Sequence, residues 1–344
     1  MPRSDSIAWA RADSHRTSPR LNRRHHCTVV IIRIGPAGWS YKDWAGIVYP
    51  KPLPRGFSPV EYLSSFFDTF EINTSFYGPP KPETTRKWTE QVTGNRHFRF
   101  TAKLWRGFTH ERNATTDDEK LVKHGLAPVI EADRFGAMLM QFPISLQNTS
   151  ENRQYVSDLE RRFREFPLVL EMRHRSSAEE SVLDFLAELG VGFCNIDQPL
   201  LGKALKPSAE RTSPVGYVRL HGRNYKNWFA ENKRSSDRYD YLYSLKELEP
   251  WADRVGSVSE KRRESVYVVT NNHFEGKAAV NALQLAALLT DRPINVPEQL
   301  VVKYPELRRY RRSRVPHLPV QSPSTSKIAE ASSRKLHRSR RSTS

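Results

Sequence analysis

Cysteine is almost missing from this chain: Cys27 and Cys194 are its only two among 344 residues. Small secreted scaffolds need several bridges at short spacing, and two distant thiols supply none, so a reducing compartment is expected. Cysteine-based zinc sites are excluded on the same ground. Long apolar runs are missing too. Arg23-Arg24 precede a short apolar run at 29–32 that Arg33 interrupts. A secretory core takes about 7–15 apolar residues, and a membrane helix takes about 20. A soluble, cytoplasmic protein without membrane contact is expected. No Gly-x-Gly-x-x-Gly turn supports a dinucleotide-binding open sheet, and no internal repeat or His-Glu-x-x-His pair is found.

Charge is plentiful but unevenly placed. The net charge of +17 at first suggests nucleic acid or an anionic surface as partner. Residues 1–27 carry +4 and residues 301–344 carry +10, which leaves +3 for the body. Both ends are Ser- and Arg-rich and contain Pro. Such compositions bury too little apolar area to offset the entropy of ordering. The expected organisation is a disordered basic extension at 1–27, one domain at 28–300 and a disordered basic tail at 301–344. The cluster Arg308, Arg309, Arg311, Arg312 and Arg314 could hold nucleic acid nonspecifically, although such clusters are more often simply solvated.

The body alternates between two patterns. Short β-branched or aromatic runs occupy 30–35, 69–75, 98–103, 137–142, 168–173, 192–197, 216–221 and 266–272. Amphipathic helical patterns occupy 59–67, 117–132, 152–166, 179–189, 241–255 and 277–289. This alternation predicts parallel strands joined by right-handed crossovers. Eight units in a body of this size fit a single TIM-type (β/α)8 barrel, whose sites lie at the carboxyl ends of the strands.

Those ends are polar, and the polar residues often stand two apart, which places both on one face of a strand. Strand two ends Glu71-Ile72-Asn73, strand three Thr101-Ala102-Lys103 and strand four at Gln141. Strand five gives Glu171-Met172-Arg173, strand six Asn195-Ile196-Asp197, strand seven Arg219-Leu220-His221 and strand eight Asn271-Asn272-His273. One reading is an internal salt-bridge network that closes the barrel top. The favoured reading is an active site, because so many functional-group types converge. In it Glu71 and Glu171 lead as base or acid, followed by Asp197 and His221. Lys103, Arg173, Arg219 and Arg223 hold an anionic group, while Asn73, Gln141, Asn271 and Asn272 orient the substrate. The aromatics Trp39, Tyr41 and Tyr77 stack on a small anionic or sugar-like molecule, and the loops 38–44 and 222–228 frame it. His110, in the loop after strand three, is a weak candidate. A divalent metal on Glu171, Asp197, His221 and His273 is chemically conceivable but not favoured, because three cations share the cup. A basic-tailed nucleic-acid-binding or interaction protein, and a metal-dependent phosphodiesterase or isomerase, stand as alternatives.

Several of these segments carry a family likeness. Gly38-Trp39-Ser40-Tyr41, followed by Trp44-Ala45-Gly46 and Tyr49-Pro50, resembles the opening of YecE-like proteins, the domain of unknown function 72. Phe70-Glu71-Ile72-Asn73-Thr74-Ser75-Phe76-Tyr77 resembles their second-strand signature, with Thr and Ser transposed. Phe98 through Lys103 with Thr109-His110, Gln141-Phe142-Pro143, Glu171-Met172-Arg173-His174, Tyr217 through Arg223, and Asn271-Asn272-His273 with Asn281-Ala282 are similar to later ones. The likeness runs over about 34–289 and departs at Pro36, Ser177 and Thr270, where Thr, Trp and an aromatic are usual. It implies a TIM-type barrel and supplies no reaction.

Overall fold

Eight of the short apolar runs form strands, all parallel. They are β1 (Ile32–Pro36), β2 (Thr69–Ile72), β3 (Arg99–Lys103), β4 (Phe135–Gln141), β5 (Leu168–Glu171), β6 (Gly192–Asp197), β7 (Gly216–Leu220) and β8 (Val266–Thr270). The computed structural model describes residues 30–226, 228, 238–260 and 265–312. The expected extension at 1–27, residue 227 of the expected loop 222–228, and residues 313–344 of the expected tail lie outside the described residues. The strands hydrogen-bond in the order β1-β8-β7-β6-β5-β4-β3-β2, and the parallel bridge Ala37↔Glu71 brings β1 back to β2. The result is a nearly closed barrel. Closure needs a glycine at 35, where a Cβ would lie 1.8 Å from the Thr69 carbonyl oxygen.

Helices cover the outside. They are α1 (Pro59–Ser64), α2 (Pro82–Gln91), α3 (Arg106–Thr109), α4 (Thr116–Glu131), α5 (Ser150–Phe163), α6 (Glu180–Glu188), α7 (Leu245–Glu260), α8 (Lys277–Thr290) and α9 (Glu298–Lys303). Local chemistry fixes their starts. Thr115 and Asp118 form a reciprocal capping box on α4, and the Thr149 hydroxyl accepts from Asn152 N on α5.

Several features differ from the sequence expectation. Helix α2 was not expected, because it buries Thr85 and Thr89 instead of an apolar stripe. Helix α7 begins at Leu245, not 241, because Tyr241 and Tyr243 serve a polar network described below. The β6–β7 connection, 198–215, contains no helix, in line with the lack of a helical pattern there. The boundary expected at 300 falls inside α9. Leu300, Val301, Tyr304 and Leu307 are all buried, and Ile294 N donates to Tyr310 O at 2.7 Å. The basic residues that suggested a tail therefore begin on a packed segment.

In-register partners on parallel strands share a face. Glu71 pairs with Thr101, Gln141 with Glu171, Cys194 with Tyr217, and Ile196 with Arg219. All of these point into the barrel. The alternate residues point out toward the helices, where Asn195 pairs with Val218 and Asp197 with Leu220. One residue of register thus separates the barrel interior from the helix layer.

Candidate active site

The inward residues converge on one guanidinium. Arg219 donates from Nη2 to Glu71 Oε1 at 2.7 Å, and from Nη1 to Glu171 Oε2 at 2.5 Å and Gln141 Oε1 at 3.1 Å. Arg219, Glu71 and Glu171 are fully buried. The second oxygen of each carboxylate is also engaged. Glu71 Oε2 accepts from the Tyr217 hydroxyl at 3.1 Å, and Glu171 Oε1 accepts from Arg173 Nε at 3.0 Å and His221 Nε2 at 3.1 Å. Burial alone would raise the Glu171 carboxyl. Arg219 foremost, with His221 and Arg173, outweighs it and holds the group well below the usual carboxylate range. Glu171 is thus a fixed anion.

Burial, with Arg173 and Arg219 nearby, pushes the His221 imidazole from 6.5 down to about 3 despite the attraction of Glu171. The ring is neutral at pH 7. With Nε2–H given to Glu171, Nδ1 accepts from Asn271 Nδ2 at 3.1 Å. Lys103 ends β3 beside Glu71, with Nζ 3.8 Å from Oε1. Burial and then Arg219 draw its ammonium from 10.5 down to about 8, against the pull of Glu71 and Glu171.

Asp197 does not join this cup. It lies on the outward face of β6, where Arg223 donates from Nε to Oδ2 and from Nη2 to Oδ1, both at 2.9 Å. The Tyr243 hydroxyl donates to the same carboxylate at 2.5 Å and accepts from Gly222 N at 2.8 Å. Arg223 also approaches Glu247, which accepts from the Tyr241 hydroxyl. Asn272 turns outward as well, donating to Tyr241 O and Asn281 Oδ1, both at 2.8 Å. Asn195 accepts from Ser208 Oγ and Glu210 N and so ties down the helix-free β6–β7 connection. Strand parity therefore turns Asp197 and Asn272 away from the cup, and Arg223, in the loop after β7, follows Asp197.

Asp197 and Arg223 leave the cup as a pair, so that two carboxylates, Glu71 and Glu171, face Lys103, Arg173 and Arg219. The cup carries a net positive charge with His221 neutral. It opens beside a cleft of about 240 Å³ lined by His110, Gln141, Arg173, Gln198, Trp228, Arg238 and Tyr239 among others, and none of the described lining residues is a carboxylate.

The aromatic candidates separate. Trp39 packs on Phe70 and Trp88, at ring distances of 5.6 and 5.0 Å, in the apolar layer outside β2. Tyr41 stacks on His273 at 4.2 Å, its hydroxyl donating to Ala37 O, and Asn73 Nδ2 donates to the same carbonyl at 3.0 Å. Tyr77 is exposed on the rim against Phe76. Of the expected metal ligands, only Glu171 and His221 meet. Among the described residues no three His, Cys, Asp or Glu side chains gather around a common point. Sequence reasoning missed Tyr217, although it stands in phase with Arg219 and His221. The expected loop 222–228 contributes Trp228, whose ring lies 5.9 Å from the Arg173 guanidinium.

Comparison with known proteins gives a consistent picture. The family model described as "Protein of unknown function DUF72" matches residues 33–303. The Escherichia coli K12 UPF0759 protein YecE is 28% identical over 113 residues, a span covering 33% of this chain and 38% of that relative. The crystal structure of a DUF72 family protein from Thermotoga maritima superposes with a TM-score of 0.64 at 30% identity, covering 75% of this chain and 99% of that one. One from Enterococcus faecalis gives 0.67 at 25% identity, covering 78% and 98%.

Proposed function

Because the chain belongs to the DUF72 family, whose description carries no reaction, we propose from the geometry that the open end of the barrel is an enzyme active site for a small anionic molecule, worked by acid–base chemistry. One observation carries the reading. Among the described residues, three cations face two carboxylates in a buried cup, and none of those lining the adjoining cleft is acidic. A buried excess of positive charge needs a counter-anion. Arg173 is the natural receptor, since its side chain keeps 17% exposure while Arg219 keeps none. Its fork suits a carboxylate or phosphate.

Glu171 has no oxygen left to act as a base, so its part is to hold Arg219 and His221 in place. Acid–base work falls to Lys103, with a pKa near 8 and Glu71 as its neighbour. Gln141 and Asn271 orient the bound molecule.

The test is a thermal-shift screen of small carboxylates and phosphates on wild type and Arg173→Gln. At least one anion is expected to raise the wild-type melting temperature, with the rise lost in the variant. An equal response of both proteins to every anion would remove Arg173 from the site, and no response from either would end the reading.

A further inference from the structure

We propose that Lys103 is a nucleophilic amine that forms an imine with a small aldehyde or ketone bearing a carboxylate or phosphate, the anionic group resting on Arg173. The inference rests on the reading above and narrows its substrate class.

Three geometric facts single out Lys103. Arg219 meets its carboxylates at 2.5 and 2.7 Å, whereas Lys103 Nζ stands 3.8 Å from Glu71 Oε1, an oxygen that Arg219 already occupies. Glu71's other oxygen is taken by Tyr217. The amine is thus the least tightly held cation of the cup. Its side chain keeps 11% exposure, against none for Glu71 and Arg219, so it reaches the open surface. The Phe76 ring lies 5.4 Å from Nζ on one side.

Burial weakens the hold on the Lys103 proton, and the surrounding charges do not offset it. Glu71 faces it from β2, Glu171 and Arg173 from β5, and Arg219 from β7. His273, beyond β8, and His110, at the end of α3, also feel its charge, and both imidazoles are held below their ordinary value by burial. The two carboxylates are matched by the two guanidiniums, so the desolvation of Lys103 is left uncompensated. A lysine amine in such a setting is a nucleophile near neutral pH.

The step balances without an oxidant or reductant. The amine nitrogen attacks the carbonyl carbon, the C–N bond forms and the C–O bond breaks. The oxygen leaves as water, taking one hydrogen from the amine and one proton from solvent. The iminium so formed withdraws electrons from the adjacent carbon, and a proton released there passes to solvent through the open end of the cup.

The experiment incubates the full chain with pyruvate, glyoxylate or glycolaldehyde phosphate, reduces with borohydride and locates adducts by peptide mass. With at least one probe, Lys103 is expected to label roughly tenfold faster than any other lysine, with a rate that climbs through about pH 8. Acetone, which lacks the anion, is expected to label it at roughly a tenth of that rate. Arg173→Gln, checked for folding by circular dichroism, is expected to show the same loss with the anionic probes. Labelling of Lys103 no faster than surface lysines would overturn the imine. If that result accompanied an Arg173-dependent thermal shift with anions, the anion site would stand and only the imine would fall. If neither appeared, both would fall.

Discussion

Glu171 and Asp197 end adjacent strands, and both are buried carboxylates held by arginine. Glu171 points into the barrel, where Arg219, Arg173 and His221 share it beside an open cleft. Asp197 points out of it, where Arg223 and Tyr243 lock the loops after β6 and β7 to the helix layer. The residue types are the same and the depth is the same. What differs is the face, and with it the access to a ligand. A polar residue at a barrel strand end therefore marks a site only when cross-strand register turns it inward.

The comparison can be broken by removing each centre in turn. Arg219→Met strands two carboxylates in the barrel and is expected to cost about 3–5 kcal/mol, read as a drop in the denaturant midpoint. A loss below about 1 kcal/mol would mean the cup is wetter than its geometry implies.

Acid sharpens the contrast. The unfolded His221 takes a proton near 6.5 and the folded ring only near 3. Stability present above pH 6.5 is therefore lost as pH falls toward 3, and the loss from this group reaches about 2 kcal/mol at pH 5. Glu171 acts in the same direction at lower pH, because its folded carboxyl is depressed. His221→Gln is expected to flatten the slope between about pH 6.5 and 4.5 in urea titrations. An unchanged slope would place the titrating group elsewhere.

The smallest of these effects is expected on the outer side. In Asp197→Asn the amide oxygen still accepts from Tyr243, and Arg223 is partly solvated at 29% side-chain exposure. The expected cost is about 1–2 kcal/mol, with the response to anions unchanged. If Asp197→Asn abolished anion binding while Arg173→Gln preserved it, the division into inward site and outward clamp would be reversed.

Much of this was legible before any coordinates. The spacing of Glu71 and Asn73, of Glu171 and Arg173, and of Arg219 and His221 pointed to one end of a barrel. Helix α2 was invisible because its buried positions are threonines. Asp197 was misplaced because period-two spacing says which residues share a face and not which face it is. Asn195 and Asp197 do share one, the outer one.

The chain's own order of residues determined the strand count, the alternation with helices and the chemical inventory at the strand ends. These follow from local periodicity and turn chemistry, which each segment carries within itself. Tertiary structure alone decided which polar ends face the interior, that Arg219 bridges Glu71 and Glu171 across 148 and 48 residues, and that the cup keeps one positive charge in excess. Those outcomes depend on register between strands distant in sequence. A shift of one residue would exchange the interior for the helix layer.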